Sequence, residues 1–247
     1  MIRAIPPVDG KALEQGLKRL KLRYIRDALH DINEQALIEE PSYLDFLAYV
    51  VSLEVAAREE TQREKRLKAA RFPALRTLED FDFSFQTSVS AQTVRDLAAL
   101  QFVQARENVV LLGPPGVGKT HLATALGLKA IEAGYRVRFW TADGSVTPHL
   151  QRLMRYDLLI LDELGMLSLG QMGADHLFQF VAKAYESTSL IITSNFGFQE
   201  WDQIFPNEST AAAVLDRLLH HAHVLVLKGE SYRMRNRVTP TNHVTAK

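Results

Sequence analysis

The stretch Gly113-Pro114-Pro115-Gly116-Val117-Gly118-Lys119-Thr120 decides the fold. It matches G-x-x-x-x-G-K-[ST] in full. Residues 109–112 before it read as a strand and Lys119 onward as a helix, the context that separates a phosphate loop from a chance run of glycines. Its glycines let successive backbone N–H groups turn inward around a β-phosphate at a helix amino terminus, where the dipole already favours an anion. Lys119 supplies a point charge to the β- and γ-phosphates, and the Thr120 hydroxyl is a ligand for Mg²⁺. The sequence thus asks for ATP and Mg²⁺ and for no other cofactor.

Downstream, Leu158-Leu159-Ile160-Leu161-Asp162-Glu163 reads as a buried parallel strand with two acids at its carboxyl end, where open α/β sheets bind ligands. There Asp162 holds Mg²⁺ through water, and Glu163 polarises a water for in-line attack on the γ-phosphate. The second acid bears on the reaction, because a small-molecule kinase excludes water whereas a triphosphatase must activate it. The strand Leu190-Ile191-Ile192-Thr193 ends in Ser194-Asn195, which puts Asn195 where it shares the attacking water with Glu163 and senses the γ-phosphate. Ser-Asn at a strand end is also ordinary turn chemistry.

Working outward, strands are expected at 109–112, 136–140, 157–162, 189–193 and 224–227, with helical patterns between most of them. Such alternation argues for an α/β fold, a parallel P-loop NTPase sheet flanked by helices. A small all-α domain precedes it. Leu13, Leu17, Leu20 and Tyr24 recur at helical spacing on one face. Pro41-Ser42-Tyr43-Leu44-Asp45 starts another helix, with Ser42 as N-cap and Asp45 as the reciprocal acid. Tyr43, Phe46, Leu47, Val50, Val51 and Leu53 form its apolar side, and a charged extension runs on until Pro73. The aromatic, acidic stretch Leu78-Glu79-Asp80-Phe81-Asp82-Phe83-Ser84-Phe85 follows; its rings read as packing between domains or as a cover for adenine. The expected organisation is a helical domain for DNA or partner binding at 1–76, a linker and entry to the ATPase core at 77–107, and an ATPase domain with a basic tail at 108–247.

Composition excludes several classes. Among 247 residues, 29 Lys+Arg face 29 Asp+Glu, with 8 His and no Cys. Without cysteine there is no disulfide framework, thiolate nucleophile or iron–sulfur cluster, which suits a reducing cytoplasm. The runs at 158–161 and 190–192 fall far short of the roughly 20 residues that cross a bilayer, and Met1-Ile2-Arg3 with Pro6-Pro7 lacks a signal-peptide core. A soluble, cytoplasmic chain with no membrane partner is expected. His220, His221 and His223 have no carboxylate at ligand spacing and read as ordinary histidines.

The zero net charge conceals basic clusters. From Arg58 to Arg76 seven cations face Glu59, Glu60 and Glu64, a net +4, and from Lys228 onward Arg233, Arg235, Arg237 and Lys247 face only Glu230. Lys18, Arg19, Lys21, Arg23 and Arg26 add a basic face to the first helix. Such clusters neutralise phosphates in a salt-dependent way, or they are solvated helix faces supported by i,i+4 pairs.

With these motifs in order, the chain resembles the IstB family, AAA+ ATP-binding helper proteins of insertion-sequence transposition and cousins of the DnaC helicase loaders. The resemblance is carried by Arg66-Leu67-Lys68-Ala69-Ala70-Arg71-Phe72-Pro73, Leu78-Glu79-Asp80-Phe81-Asp82-Phe83, the phosphate loop with His121-Leu122-Ala123, Leu161-Asp162-Glu163-Leu164-Gly165, Thr193-Ser194-Asn195, Leu215-Asp216-Arg217-Leu218-Leu219-His220-His221 and Gly229-Glu230-Ser231-Tyr232-Arg233. It implies an ATP-dependent homo-oligomer that grips duplex DNA non-specifically, recruits and stimulates a partner transposase, and hydrolyses ATP to reset. It places Gly113, Pro114, Pro115, Gly116, Val117, Gly118, Lys119, Thr120, His121 and Asp162 around the nucleotide. Arg217 is then the arginine finger for a neighbouring subunit, and Arg233 a further phosphate sensor. One departure is the connection from Thr141 to Tyr156, shorter than the resemblance leads one to expect, with room for about two helical turns. It bears on oligomer geometry and DNA grip. The competing readings are a helicase loader, a P-loop small-molecule kinase, against which Glu163 beside Asp162 speaks, and a nucleotide-gated DNA-binding module without significant turnover.

Overall fold

The computed structural model describes residues 9–142, 155–165, 170–185 and 187–235. Most of the short connection after Thr141 lies outside the described residues, as do Met1 to Pro7, Arg237 and Lys247. The chain divides into two compact units, 1–65 and 66–247.

The first unit is helical: α1 (Gly10–Arg19), α2 (Arg23–Asp27), α3 (Leu29–Glu39) and most of α4 (Tyr43–Ala70). The continuous face expected from Leu13 to Tyr24 is broken. Lys21 takes a left-handed φ of +59°, Leu20 is 68% exposed, and Tyr24 belongs to α2. A distant side chain supports this break. The N–H groups of Tyr24 and Ile25 donate to Glu54 Oε2 at 2.9 and 3.1 Å, so a carboxylate on α4 satisfies the start of α2. Arg58 Nε donates to Glu54 Oε1 at 2.7 Å, and Arg58 Nη2 to the Lys21 carbonyl at 2.6 Å. Ser42 starts α4 as expected, accepting from Asp45 N–H at 3.2 Å while its hydroxyl donates to Asp45. On the expected apolar side of α4, Phe46, Val50 and Leu53 pack with buried Leu17, Ile25 and Ile32, whereas Tyr43, Leu47 and Val51 are exposed.

Glu54 is the keystone of this small core. Burial pushes its carboxyl up, but the Ile25 N–H, the Arg58 guanidinium and the Tyr24 N–H outweigh it and hold it below the usual carboxylate range. Glu54→Ala leaves the buried Ile25 N–H and the partly buried Tyr24 N–H without their acceptor, while the half-exposed Arg58 keeps the Lys21 carbonyl, an expected loss of about 1–3 kcal/mol. The sign of the pH dependence follows from the lowered value: the carboxylate's stabilisation is full above the unfolded value of about 4.3 and is lost as pH falls through the folded one. Urea melts of parent and variant from pH 7 down to pH 3 check both, since the difference should shrink only on the acid side.

The second unit is built on a five-stranded parallel sheet in the order β2-β3-β4-β1-β5. The strands are β1 (Asn108–Leu112), β2 (Val137–Thr141), β3 (Leu158–Leu164), β4 (Ser189–Ser194) and β5 (Ala222–Val226), each within two residues of its expected start. Alternate side chains feed two cores. Val109, Leu111, Leu158, Ile160 and Ile191 meet α7 (Lys119–Glu132), while Leu159, Leu161, Leu190 and Ile192 meet α8 (Gln171–Ala184) and α9 (Glu208–Leu219). The stretch at 77–107 carries α5 (Ala91–Ala98) and α6 (Gln101–Ala105), and buries Val94, Leu97, Phe102 and Val103 in the α7-side core. Phe81 and Phe83 pack on the same core, so these rings serve the sheet-bearing unit itself. α4 ends at Ala70, where Arg71 turns left-handed (φ +58°), ahead of the expected stop at Pro73. Among the described residues no helix is long and apolar enough to cross a membrane.

Candidate nucleotide site

The loop 113–118 joins the carboxyl end of β1 to the amino end of α7, between β4 and β5. Two of its glycines are required by crowding as well as by backbone. A Cβ on Gly113 (φ +142°) would run into the Leu227 carbonyl oxygen, and one on Gly118 (φ +104°) would lie 2.6 Å from the Phe81 ring. Gly118→Ala is therefore expected to cost about 1–3 kcal/mol, lowering the melting temperature by about 2–4 °C per kcal/mol. Calorimetry with and without an ATP analogue checks it, and the analogue should no longer raise the variant's melting temperature.

Lys119 is buried, and its ammonium donates to the Gly113 carbonyl (2.6 Å), the Pro114 carbonyl (2.7 Å) and Asn195 Oδ1 (2.8 Å). All three partners are neutral. Its charge thus lacks a bonded counter-ion, and a polyphosphate fits that need. Thr120 Oγ1 donates toward Asp162 Oδ1 and Oδ2 at 2.9 and 3.0 Å. This juxtaposes a hydroxyl and a buried carboxylate, the hard oxygen donors that suit Mg²⁺ bound mainly through water and phosphate.

The acids stand toward the carboxyl end of their strand, as expected, but the strand runs on beyond its expected end at Asp162. β3 continues to Leu164, and its pairing with β4 shifts register between Leu161 and Leu164. Glu163 occupies this bulge with φ +61°. A regular strand would send adjacent side chains to opposite faces, and the bulge re-aims one of them. Asp162 reaches Thr120, while Glu163 lies near enough to act electrostatically on Lys119. Thr193 locks the arrangement, its hydroxyl donating to Asp162 Oδ1 (2.6 Å) and accepting from Glu163 N–H (2.9 Å). That role was not read from the sequence. Its signal is a hydroxyl in a fully buried strand, which must find partners.

Burial pulls the Lys119 ammonium down to about 8; Arg233 adds to this, while Asp162 and Glu163 oppose it. Bound phosphate favours the charged form and raises the value again. Affinity for an ATP analogue is therefore expected to be full below pH 8 and to fall as pH rises above it, by at most about tenfold per unit, with proton uptake on binding. Titration calorimetry in buffers of different ionisation enthalpy measures both.

A family model described as IstB-like ATP binding protein matches residues 15–240. A relative from Pseudomonas aeruginosa, named as an ATP-binding protein of insertion sequence IS21, is 44% identical over 91% of this chain and 89% of its own. Another from Geobacillus stearothermophilus, named likewise for insertion sequence IS5376, is 37% identical over 89% and 92%. The chain belongs to the IstB-like ATP-binding protein family. Among solved structures, AMPPCP-bound DnaA from Aquifex aeolicus is similar over 66% of this chain and 54% of that one, with a TM-score of 0.51 and 21% identity. DnaI is similar over 63% and 89%, with a TM-score of 0.50 and 20% identity. The IstB-like chain thus has the P-loop AAA+ fold.

Not every expected residue of this IstB-like site meets Lys119. His121 Nε2 bonds the Thr77 carbonyl at 2.7 Å, and its ring lies edge-on to Phe81 at 5.2 Å, so its side chain anchors the 77–85 stretch to α7. Arg217 is at the other end of the sheet. It shares a small cavity with Asn108 and Leu190, at the starts of β1 and β4, donates to the Ala213 carbonyl at 2.8 Å and lies 4.9 Å from the Phe178 ring centre. Residues 228–235 close over the phosphate loop: Tyr232 N–H donates to the Gly116 carbonyl (3.0 Å), and Arg235 pairs with Asp82 (2.7 Å). Gln86 adds a buried tie, donating to the Val117 carbonyl at 3.1 Å. Among the described residues no three His, Asp or Glu gather as a metal cluster, and His223 bonds Glu107 at 2.8 Å.

Proposed function

We infer that this IstB-like protein is an ATP-hydrolysing helper of DNA transposition, which assembles on duplex DNA as an ATP-dependent oligomer and recruits or stimulates a partner transposase. The observation that carries the hydrolytic part is the bulge that sets Glu163 beside Asp162, with Asn195 on Lys119. Lys119 and the loop N–H groups hold the β- and γ-phosphates, and Mg²⁺, held by Thr120 and through water by Asp162, would neutralise charge on the phosphate oxygens. Glu163 accepts a proton from water as the water oxygen bonds to the γ-phosphorus. The bond to the bridging oxygen breaks in line, giving ADP and phosphate. Asn195 orients that water and registers the γ-phosphate.

The transposition part rests on the family and on the relatives' names, which attach them to insertion sequences. The basic clusters in both units support the DNA part. Phosphate release measured with and without duplex DNA tests the whole reading. Stimulation by DNA is the expected result. Transfer of phosphate to a small molecule in place of water overturns it, and so does binding without turnover.

A further inference from the structure

The first unit carries a cleft of about 520 Å³ between the α1–α2 pair and α4, separate from the nucleotide site. Lys18, Lys21, Arg23, Arg26, Arg58 and Lys65 line it, and among the described residues the one carboxylate on its wall is Glu54. That acid is buried and already accepts from Tyr24 N–H, Ile25 N–H and Arg58. Arg26 pairs with Asp27 at 2.5 Å, and Arg23 donates to the Tyr24 hydroxyl at 3.1 Å. Lys18, Lys21 and Lys65 are exposed and pair with no carboxylate among the described residues. A concavity lined by one sign of charge focuses its field and draws an anion.

The spread of the cations decides which anion. On α4, Arg58, Thr61, Gln62 and Lys65 recur at i, i+3, i+4 and i+7, so one face of the helix lines the cleft. Arg58 and Lys65 stand about 10 Å apart along the axis, the length of about three base steps of a duplex. A single phosphate ion cannot bridge that distance, whereas a backbone of successive phosphates does. Gln62 adds an uncharged donor of the kind that also meets phosphate oxygens.

We propose that this cleft is a phosphodiester-binding site, in which Lys18, Lys21 and Lys65 neutralise successive backbone phosphates of duplex DNA without reading its sequence. The proposal rests on the DNA-binding reading above and gives it a location. It is tested in the full chain with ATP by anisotropy of a labelled duplex over a series of salt concentrations. The comparison is between the parent, the triple variant Lys18→Gln/Lys21→Gln/Lys65→Gln, and the control Lys11→Gln/Arg95→Gln/Lys183→Gln, which removes equal charge outside the cleft and outside the basic clusters. Circular dichroism melts confirm that both triples fold, and analogue binding confirms an intact nucleotide site. The cleft triple is expected to lose on the order of 10²-fold in affinity at 0.1 M salt, and its log–log salt slope should shrink by about 3. The control should stay near the parent. If parent, cleft triple and control bind alike, the cleft is not the site while the DNA-binding reading stands. If the parent binds no duplex with or without ATP, that reading and the proposal fall together.

Discussion

Glu163→Gln is expected to keep ATP bound and to hydrolyse it about 10²–10⁴-fold more slowly than the parent, the range for loss of a general base. The substitution preserves shape. Glu163 N–H still donates to Thr193 Oγ1, so the bulge, its left-handed backbone and the Asp162 bonds have no reason to change. Only the ability to take a proton goes. The variant should therefore accumulate the ATP-bound state and stay longer on DNA. Single-turnover phosphate release, analogue affinity and duplex retention under ATP measure the three effects. Unchanged release rates would remove Glu163 from the proton path. Asp162→Asn is a different lesion, because it alters the acceptor for both Thr120 and Thr193 and the expected metal position, and weakened nucleotide binding should accompany lost turnover.

The contrast between Asp162 and Glu163 marks how far the sequence could be read. Buried parallel strands are runs of apolar residues whatever their neighbours, so β1, β3 and β4 were visible from their own composition. The phosphate loop was visible because its glycines answer local demands: a left-handed backbone, and no room for a Cβ beside Leu227 or Phe81. The bulge was not visible. Two-against-one pairing is a property of β3 and β4 together, and nothing in Leu161-Asp162-Glu163-Leu164 alone announces it. The break between α1 and α2 escaped for the same reason, since the cap on α2 comes from Glu54, some thirty residues on. Ser90 was different. It caps α5, accepting from Thr93 N–H at 3.0 Å, and that signal is local to Ser90-Ala91-Gln92-Thr93 and legible in the sequence itself.

Arg217→Ala is expected to reduce turnover by about 10³–10⁵-fold, the worth of an arginine finger, while leaving nucleotide affinity within a few-fold. The geometry makes a role within one subunit untenable. Arg217 lies by Asn108 at the start of β1, and the phosphate loop begins beyond Leu112 at its other end, so the length of the strand, about 13 Å, stands between them. The bond to the Ala213 carbonyl and the Phe178 ring further fix the guanidinium on its own side of the sheet. If Arg217 acts on phosphate at all, that phosphate belongs to another copy, which requires a head-to-tail contact. Mixing Arg217→Ala with Lys119→Ala tests this directly. Neither is active alone, but an Arg217→Ala subunit retains an intact loop and a Lys119→Ala subunit retains an intact finger. In a random one-to-one mixture about a quarter of head-to-tail contacts join the two intact halves, so up to that share of parental turnover should return. A mixture as inactive as its components would show that Arg217 does not complete a neighbour's site, and would leave its contacts with Ala213 and Phe178 as the whole of its role.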